Sequence, residues 1–237
     1  MTIAVIIPVL NEARCLDRTL SHTRALGFDE LIIVDGGSSD DTGAILQSFA
    51  DRIDRSSPAT GAIRILDAPR GRARQLNTGA ATSECHVLLF LHADTLLPPN
   101  ARQAVLDALG EAACVGGRFN VRFDSARLPA RLISSLMNLR SRLSGIATGD
   151  QAIFVRRAVF ESMGGFADIP LMEDIEFTRR LKRAGKVASL PDQVVTAFRR
   201  WEQQGPLRTI LLMWTLRFLY WIGVSPHRLQ HFYSIVR

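Results

Sequence analysis

The chain has 237 residues, 47% of them apolar and 22% charged, which is enough to fill a domain-sized core and argues against a disordered protein. Its net charge of +6 rests on arginine, with lysine only at Lys182 and Lys186, a balance that suits nucleic acid, anionic lipid or a phosphate-bearing small ligand. Cys15, Cys85 and Cys114 lie far apart with no CxxC pair and no secretory signal ahead of the first strand, so a reduced, cytoplasmic setting without disulfides or a zinc knuckle is expected.

Ile3 to Leu10 is an apolar, β-branched run of strand length, followed by Asn11-Glu12 and a helical pattern with Leu16, Leu20 and Leu26 on one face. Leu31 to Val34 is a second buried strand, ended by Asp35 and a Gly- and Ser-rich turn that leads into a helix over Ala44 to Phe49. Ile63 to Leu66 is a third strand with a helix from Gly71 to Ala81, and Val87 to Leu91 is a fourth. Strands buried on both faces and alternating with helices predict an α/β fold, a mostly parallel sheet flanked by helices, with a nucleotide-binding layout up to about Asn100.

The second half is less regular. Ala113 to Phe123 reads as an alternating strand, Leu128 to Leu143 as a helix, Gly149 to Val155 as a loop and strand, and Glu173 to Ala184 as a charged helix after a Gly164-Gly165-Phe166 turn. Leu207 to Val224 is a helix rich in Leu, Trp and Tyr. No stretch reaches the ~18 apolar residues of a membrane span.

In a parallel α/β sheet, ligands collect at the carboxyl ends of the strands. Four polar clusters fall there: Asn11-Glu12, Asp35, the arginines from Arg70 to Arg74, and His92 with Asp94. Each also has a plain structural role open to it. Asp35 suits a turn or cap, Asp94 a turn before Pro98-Pro99, and His92 a satisfied core imidazole. The arginines suit a solvated helix start, although they oppose the helix dipole there and so favour a bound anion.

Five segments occur together: IIPVLNE at Ile6 to Glu12, IIVDGGSSDDT at Ile32 to Thr42, GRARQLNTGA at Gly71 to Ala80, LFLHADT at Leu89 to Thr95, and MEDIEFTRRLKRAG at Met172 to Gly185. In this order they resemble family 2 glycosyltransferases of the GT-A fold, which move a sugar from a nucleoside diphosphate to an acceptor. The GRARQLNTGA and LHADT forms are similar to the small subgroup associated with arsenosugar biosynthesis. The resemblance implies one catalytic domain over residues 1–200, with a nucleotide-sugar half to residue 100 and an acceptor half beyond it, and a C-terminal helical extension over 201–237.

It also implies roles. Pro8, Asn11 and Glu12 would hold the nucleoside and Asp35 its base imide, while Arg72, Arg74 and Asn77 would lie along the ribose and diphosphate. Asp94 would bind a divalent ion, Mn2+ or Mg2+, that bridges the phosphates. The family's DxD is here His92-Ala93-Asp94, and an imidazole ligand at His92 would suit manganese better than magnesium. Asp174 would be the base that deprotonates the acceptor hydroxyl, with Glu173 in support. Alone, this acid pair would read as a helix start with Arg179 and Arg180 as partners. Asp150 and Gln151 would meet the acceptor, or else serve as polar turn residues. Arg200-Trp201 resembles the RW end of the motif of processive members, but the glutamine is missing.

Residues 207–224 have three readings: burial on the domain or against a second chain, a seat at a membrane surface, or a span. The span would bury Arg217 at a cost of ~3 kcal/mol. Two other enzyme classes and a binding role compete. A sugar-phosphate nucleotidyltransferase would open with a Gly-rich basic loop where PVLNE stands, and a dehydrogenase would need GxGxxG after the first strand. A nucleic-acid or membrane binder would show aromatic platforms or lysine patches, and aromatics are only 7% of the chain.

Overall fold

The protein is described by a computed structural model covering residues 1–54 and 61–236. In chain order the first half comprises β1 (Ile3–Val9), α1 (Leu16–Ala25), β2 (Glu30–Asp35), α2 (Thr42–Asp54), β3 (Ala62–Asp67), α3 (Arg72–Ala81), β4 (Val87–Phe90), β5 (Thr95–Leu96) and α4 (Ala101–Ala108). The second half comprises β6 (Cys114–Phe123), α5 (Leu128–Ser144), a 3-10 turn at Gly149–Gln151, β7 (Ile153–Arg156), α6 (Arg157–Ser162), α7 (Glu173–Ala184), β8 (Lys186–Thr196), α8 (Arg199–Gln204), α9 (Pro206–Trp221) and α10 (Pro226–Val236).

The strands form one eight-stranded sheet in the order β3-β2-β1-β4-β7-β6-β8-β5. From β3 to β4 every pairing is parallel, β7 runs antiparallel to both neighbours, and β6 and β8 pair in parallel. Alternate residues of β1 and β4 serve opposite faces. Ile3, Val5, Ile7 and Leu89 pack with Leu16, Leu20, Phe49 and Val105 on one side. Ala4, Ile6, Leu88 and Phe90 pack with Leu76, Ala80, Phe177 and Leu181 on the other. Two helical layers therefore need continuous apolar strands, and the sequence supplies them. A methyl group on Gly79 would fall 2.6 Å from Ile6 Cγ2, so the glycine lets α3 lie directly on β1.

Two expectations change, and several elements go beyond them. β3 is an edge strand, mostly exposed rather than buried on both faces. The alternation expected over Ala113 to Phe123 is absent, because β6 lies inside the sheet between β7 and β8 and is buried at all but Val115 and Arg122. The short strand β5, the long strand β8 and helices α4, α6, α8 and α10 carry no strong signal in the sequence. β8 contains Pro191 and Asp192 and is largely exposed along its first half, so no apolar run marks it.

Candidate active site

The carboxyl ends of β1 and β4, the 3-10 turn and the first turn of α7 surround a cavity of about 280 Å³. Pro8, Glu12, Arg72 and Asp94 face it from the first half of the chain. Asp150, Glu173 and Asp174 face it from the second. Arg199, Trp201, Arg217 and Tyr233 close its far side, so the C-terminal helices form a wall of the cavity. They are anchored by Leu216 and Leu229 against Met172. The side chain of Arg200 lies outside the described residues. Among the described residues, the non-glycine positions with positive φ are Asn11, Ala152 and Met172. Asn11 follows β1, Ala152 ends the 3-10 turn, and Met172 precedes Glu173, so backbone strain gathers around the cavity.

Asp174 is held by two backbone donors. The Gly149 N–H donates to its Oδ2 at 2.9 Å and the Ile175 N–H to its Oδ1 at 2.7 Å. Burial pushes its pKa up from the ordinary 3.8, and the charge of Glu173 adds to the rise, against the opposing effects of the Gly149 bond and Arg72. Glu173 is 3% exposed, and its Oε1 accepts from Arg72 Nη1 at 3.2 Å. Burial opposes the charge on Arg72, but Glu173, Asp174 and Asp150 together outweigh it and raise its pKa.

His92 is placed differently from expectation. Its Nδ1 lies 3.1 Å from Asp150 Oδ1. A methyl group on Gly149 would sit 2.1 Å from its Nε2, so that nitrogen is pressed against the glycine. Both ring nitrogens are thus turned to the Gly149-Asp150 turn, while the ring itself borders the cavity. Among the described residues no group of three or more His, Cys, Asp or Glu side chains is arranged to hold an ion. Glu12 and Asp94 are the carboxylates that face the cavity from the first half of the chain. Glu12 has its pKa raised first by burial and then by the charge of Asp94, with Cys15, Arg199 and His92 pulling it down. Two mutually repelling oxygen donors fit a hard divalent cation that completes its shell with ligand oxygens and water. Beside them, burial and Glu12 push the Cys15 thiol up to about 12, which keeps it unreactive.

The remaining expected site residues, Asn11, Asp35, Arg74, Asn77 and Gln151, do not line this cavity and make contacts around it. Asp35 accepts from the Ser38 hydroxyl at 2.6 Å and the Ser38 N–H at 3.2 Å, fixing the turn after β2. Asn11 Oδ1 accepts from the Ser39 N–H at 2.8 Å, which joins the end of β1 to the same turn. Arg74 pairs with Asp168 at 2.9 Å on the exterior, away from the cavity lining. Asn77 exchanges two hydrogen bonds with the backbone of Phe166, at 2.8 and 2.9 Å, and so clamps the Gly164-Phe166 turn onto α3. Gln151 is fully buried, and its Oε1 accepts from the Thr148 N–H, so it shapes the turn.

Residues that sequence reasoning passed over include Gln75, which donates to Val9 O at 2.7 Å and Val34 O at 2.9 Å and ties the ends of β1 and β2 together. Arg217, which the sequence places only as a charge inside the C-terminal helix, lines the cavity from α9.

An α/β sheet of GT-A type with a cavity of carboxylates and arginines at its strand ends is the class defined by fold and site. The chain belongs to glycosyl transferase family 2, whose profile it matches over residues 4–163. It is 28% identical over 204 residues, 81% of its length and 65% of the relative's, to glycosyltransferase AglE of Haloferax volcanii. It is 29% identical over 172 residues, 68% of its length and 49% of the relative's, to the undecaprenyl-phosphate 4-deoxy-4-formamido-L-arabinose transferase of Pseudomonas aeruginosa. The chain thus spans about half to two-thirds of these relatives. Among solved structures, the mannosyltransferase PcManGT from Pyrobaculum calidifontis in complex with GDP-Man and Mn2+ superposes with a TM-score of 0.65 at 20% identity, covering 82% of this chain and 56% of that one. Staphylococcus aureus TarS 1-349 in complex with UDP gives 0.64 at 15%, covering 83% and 60%.

Proposed function

We infer that the protein is a glycosyltransferase that moves a sugar from a nucleoside diphosphate donor to an acceptor hydroxyl, with inversion at the anomeric carbon and with a divalent cation. The observation that carries this reading is Asp174, a carboxylate at the cavity with a raised pKa, in the same cavity as Arg72, Glu12 and Asp94.

The donor is received by Pro8, Asn11, Glu12, Asp35, Arg72 and Asp94, with Arg74 and Asn77 supporting the loop and helix behind them. Asp94, with Glu12 beside it, would hold Mn2+ or Mg2+, which would draw negative charge from the departing diphosphate. Arg72 and Arg199 add positive charge at the same cavity. The acceptor lies beside Asp150 and Asp174. Its hydroxyl oxygen attacks the anomeric carbon as the bond to diphosphate breaks, and its proton passes to Asp174. Gly149 holds Asp174 in orientation, and Glu173 is engaged by Arg72. One base and one direct displacement give inversion.

The enzyme works at an anionic membrane surface on the cytoplasmic side. No helix among the described residues is long and apolar enough to cross a membrane. Leu132, Leu136, Leu139 and Leu143 on α5, and Leu211, Trp214, Phe218 and Trp221 on α9, are all more than half exposed at helical spacing. Exposed Arg131, Arg142 and Arg208 alternate with them, as expected of helices that lie in a lipid interface.

The test is release of nucleoside diphosphate from a panel of UDP-, GDP-, dTDP- and ADP-sugars with Mn2+, with the anomeric configuration of the freed sugar followed by NMR. Turnover of one donor with inversion is expected. Retention, or no release from any donor by folded protein, contradicts the reading.

A further inference from the structure

His92 follows β4, two residues before Asp94, where the sequence suggests an ion ligand, yet both of its ring nitrogens meet the turn that carries Asp150. Its backbone is fixed. The Leu91 N–H donates to Ile6 O at 3.0 Å, the Thr95 N–H donates to His92 O at 3.1 Å, and the flanking Leu91 and Ala93 are buried. The ring is therefore a post against which the turn rests. Nδ1 lies 3.1 Å from Asp150 Oδ1, and a carboxylate is held beside an imidazole nitrogen when that nitrogen carries the proton. On the other edge of the ring, a methyl group on Gly149 would fall 2.1 Å from Nε2 and 2.7 Å from Cε1, so only a glycine lets the backbone come this close. The Gly149 N–H in turn donates to Asp174 Oδ2 at 2.9 Å. The far end of the turn is anchored separately, by the fully buried Gln151, whose Oε1 accepts from the Thr148 N–H at 3.2 Å. His92, Gly149 and Asp174 also border a space of only about 10 Å³, which leaves the near end of the turn little slack.

We propose that His92 is a positioning residue for the acceptor side of the reaction: its imidazole holds Asp150 towards the cavity and keeps the Gly149 N–H on Asp174. The proposal rests on the glycosyltransferase reading and adds a residue to it. His92 acts through its two neighbours and not as a ligand of the ion. Its reach runs from the strand that leads to Asp94 to the helix that begins at Glu173, so the donor end of the site and the base are held in one frame. The ring gives and takes no proton in the transfer, and the acceptor proton still passes to Asp174. A carboxylate in place of the imidazole would set like charges side by side at Asp150 and drive the turn away from the ring.

The experiment compares wild type with His92→Ala, His92→Asn and His92→Asp, each as the full chain. Release of diphosphate from UDP-, GDP-, dTDP- and ADP-sugars, with water as the acceptor, gives kcat and donor KM, and titration of the free diphosphates with Mn2+ gives donor-side binding. His92→Ala and His92→Asp are expected to lower kcat by ~10-fold or more, with donor KM and Mn2+-dependent diphosphate binding within about twofold of wild type. His92→Asn keeps an N–H donor near the place of Nδ1 and is expected to recover most of the lost kcat. Exchange of the Gly149 amide proton, followed by 15N NMR, is expected to be ~10-fold faster in His92→Ala, as its bond to Asp174 loosens. Should His92→Ala melt far below wild type, His92→Asn against His92→Asp, a pair of equal size that differs in charge, carries the test. Diphosphate binding lost in His92→Ala and kept in His92→Asp marks an ion ligand and overturns the proposal. Wild-type kcat in His92→Asp, or equal kcat in His92→Ala and His92→Asn, also overturns it and leaves the glycosyltransferase reading standing. No release from any donor by wild type removes that reading instead. Gly149 exchange then decides alone whether His92 holds the turn: faster exchange in His92→Ala supports the contact, and an unchanged rate overturns it.

Discussion

The Gly149 N–H donates to Asp174 Oδ2 at 2.9 Å, while the same glycine leaves no room for a side chain beside His92 Nε2. One residue therefore links the end of β4 to the first turn of α7 and fixes the proposed base. A methyl group there would meet the imidazole at 2.1 Å. Gly149→Ala is expected to cost about 1–3 kcal/mol of stability by overpacking and to lower kcat more than it changes donor binding. Denaturant melts and steady-state kinetics measure both, and wild-type kcat would count against the coupling.

Asp174→Asn is expected to reduce transfer by ~100-fold to ~10,000-fold while nucleoside diphosphate binding stays within about twofold, because the base acts on the acceptor. Its effect on stability has the opposite sign. The folded pKa of Asp174 is raised above the ordinary 3.8, so its ionisation costs the folded state more than the unfolded one. The penalty is absent below the unfolded value and develops as pH rises through the folded one. Asp174→Asn should therefore melt higher than wild type at pH 7, with the gain vanishing near pH 3. Transfer by wild type should fall as pH drops through the same raised value. A variant less stable at pH 7 would contradict the assigned shift.

Asn77 separates a ligand contact from a structural clamp. Both of its amide bonds go to the Phe166 backbone, and the Phe166 ring stacks on Phe177 with centroids 4.3 Å apart. Asn77→Ala is expected to lose about 1–3 kcal/mol of stability with little change in diphosphate affinity. A large loss of affinity at unchanged stability would return Asn77 to the ribose.

The exposed faces of α5 and α9 predict that Leu211→Glu and Trp214→Glu each weaken binding to anionic vesicles by about tenfold, the loss of one large apolar side chain from the interface. Both side chains are more than two-thirds exposed, so the protein should keep its fold and melting temperature. Unaltered vesicle binding would remove the membrane seat.

How much of this the sequence revealed follows from where the signal is local. β1, β2 and β4 are continuous apolar runs and were legible, as was the start of α7 at Glu173, where acids meet a helix N-terminus. β8 was hidden because it is long, polar and half exposed, paired on one side only with the two-residue β5. In the site, the positions of Asp94 and Asp174 follow from strand and helix, whereas the partners of His92, Arg74 and the Gln151 amide nitrogen are tertiary: Asp150, Asp168 and the Phe119 carbonyl.

The central claim is that a nucleoside diphosphate and a divalent cation are bound together at Asp94. Calorimetric titration of UDP, GDP, dTDP and ADP, each with and without Mn2+, on wild type and Asp94→Ala tests it most directly. The account predicts that one diphosphate binds wild type with Mn2+ and at least ~10-fold more weakly without it, and that Asp94→Ala abolishes the difference. Binding indifferent to the ion, or the same ion dependence in Asp94→Ala, would contradict it.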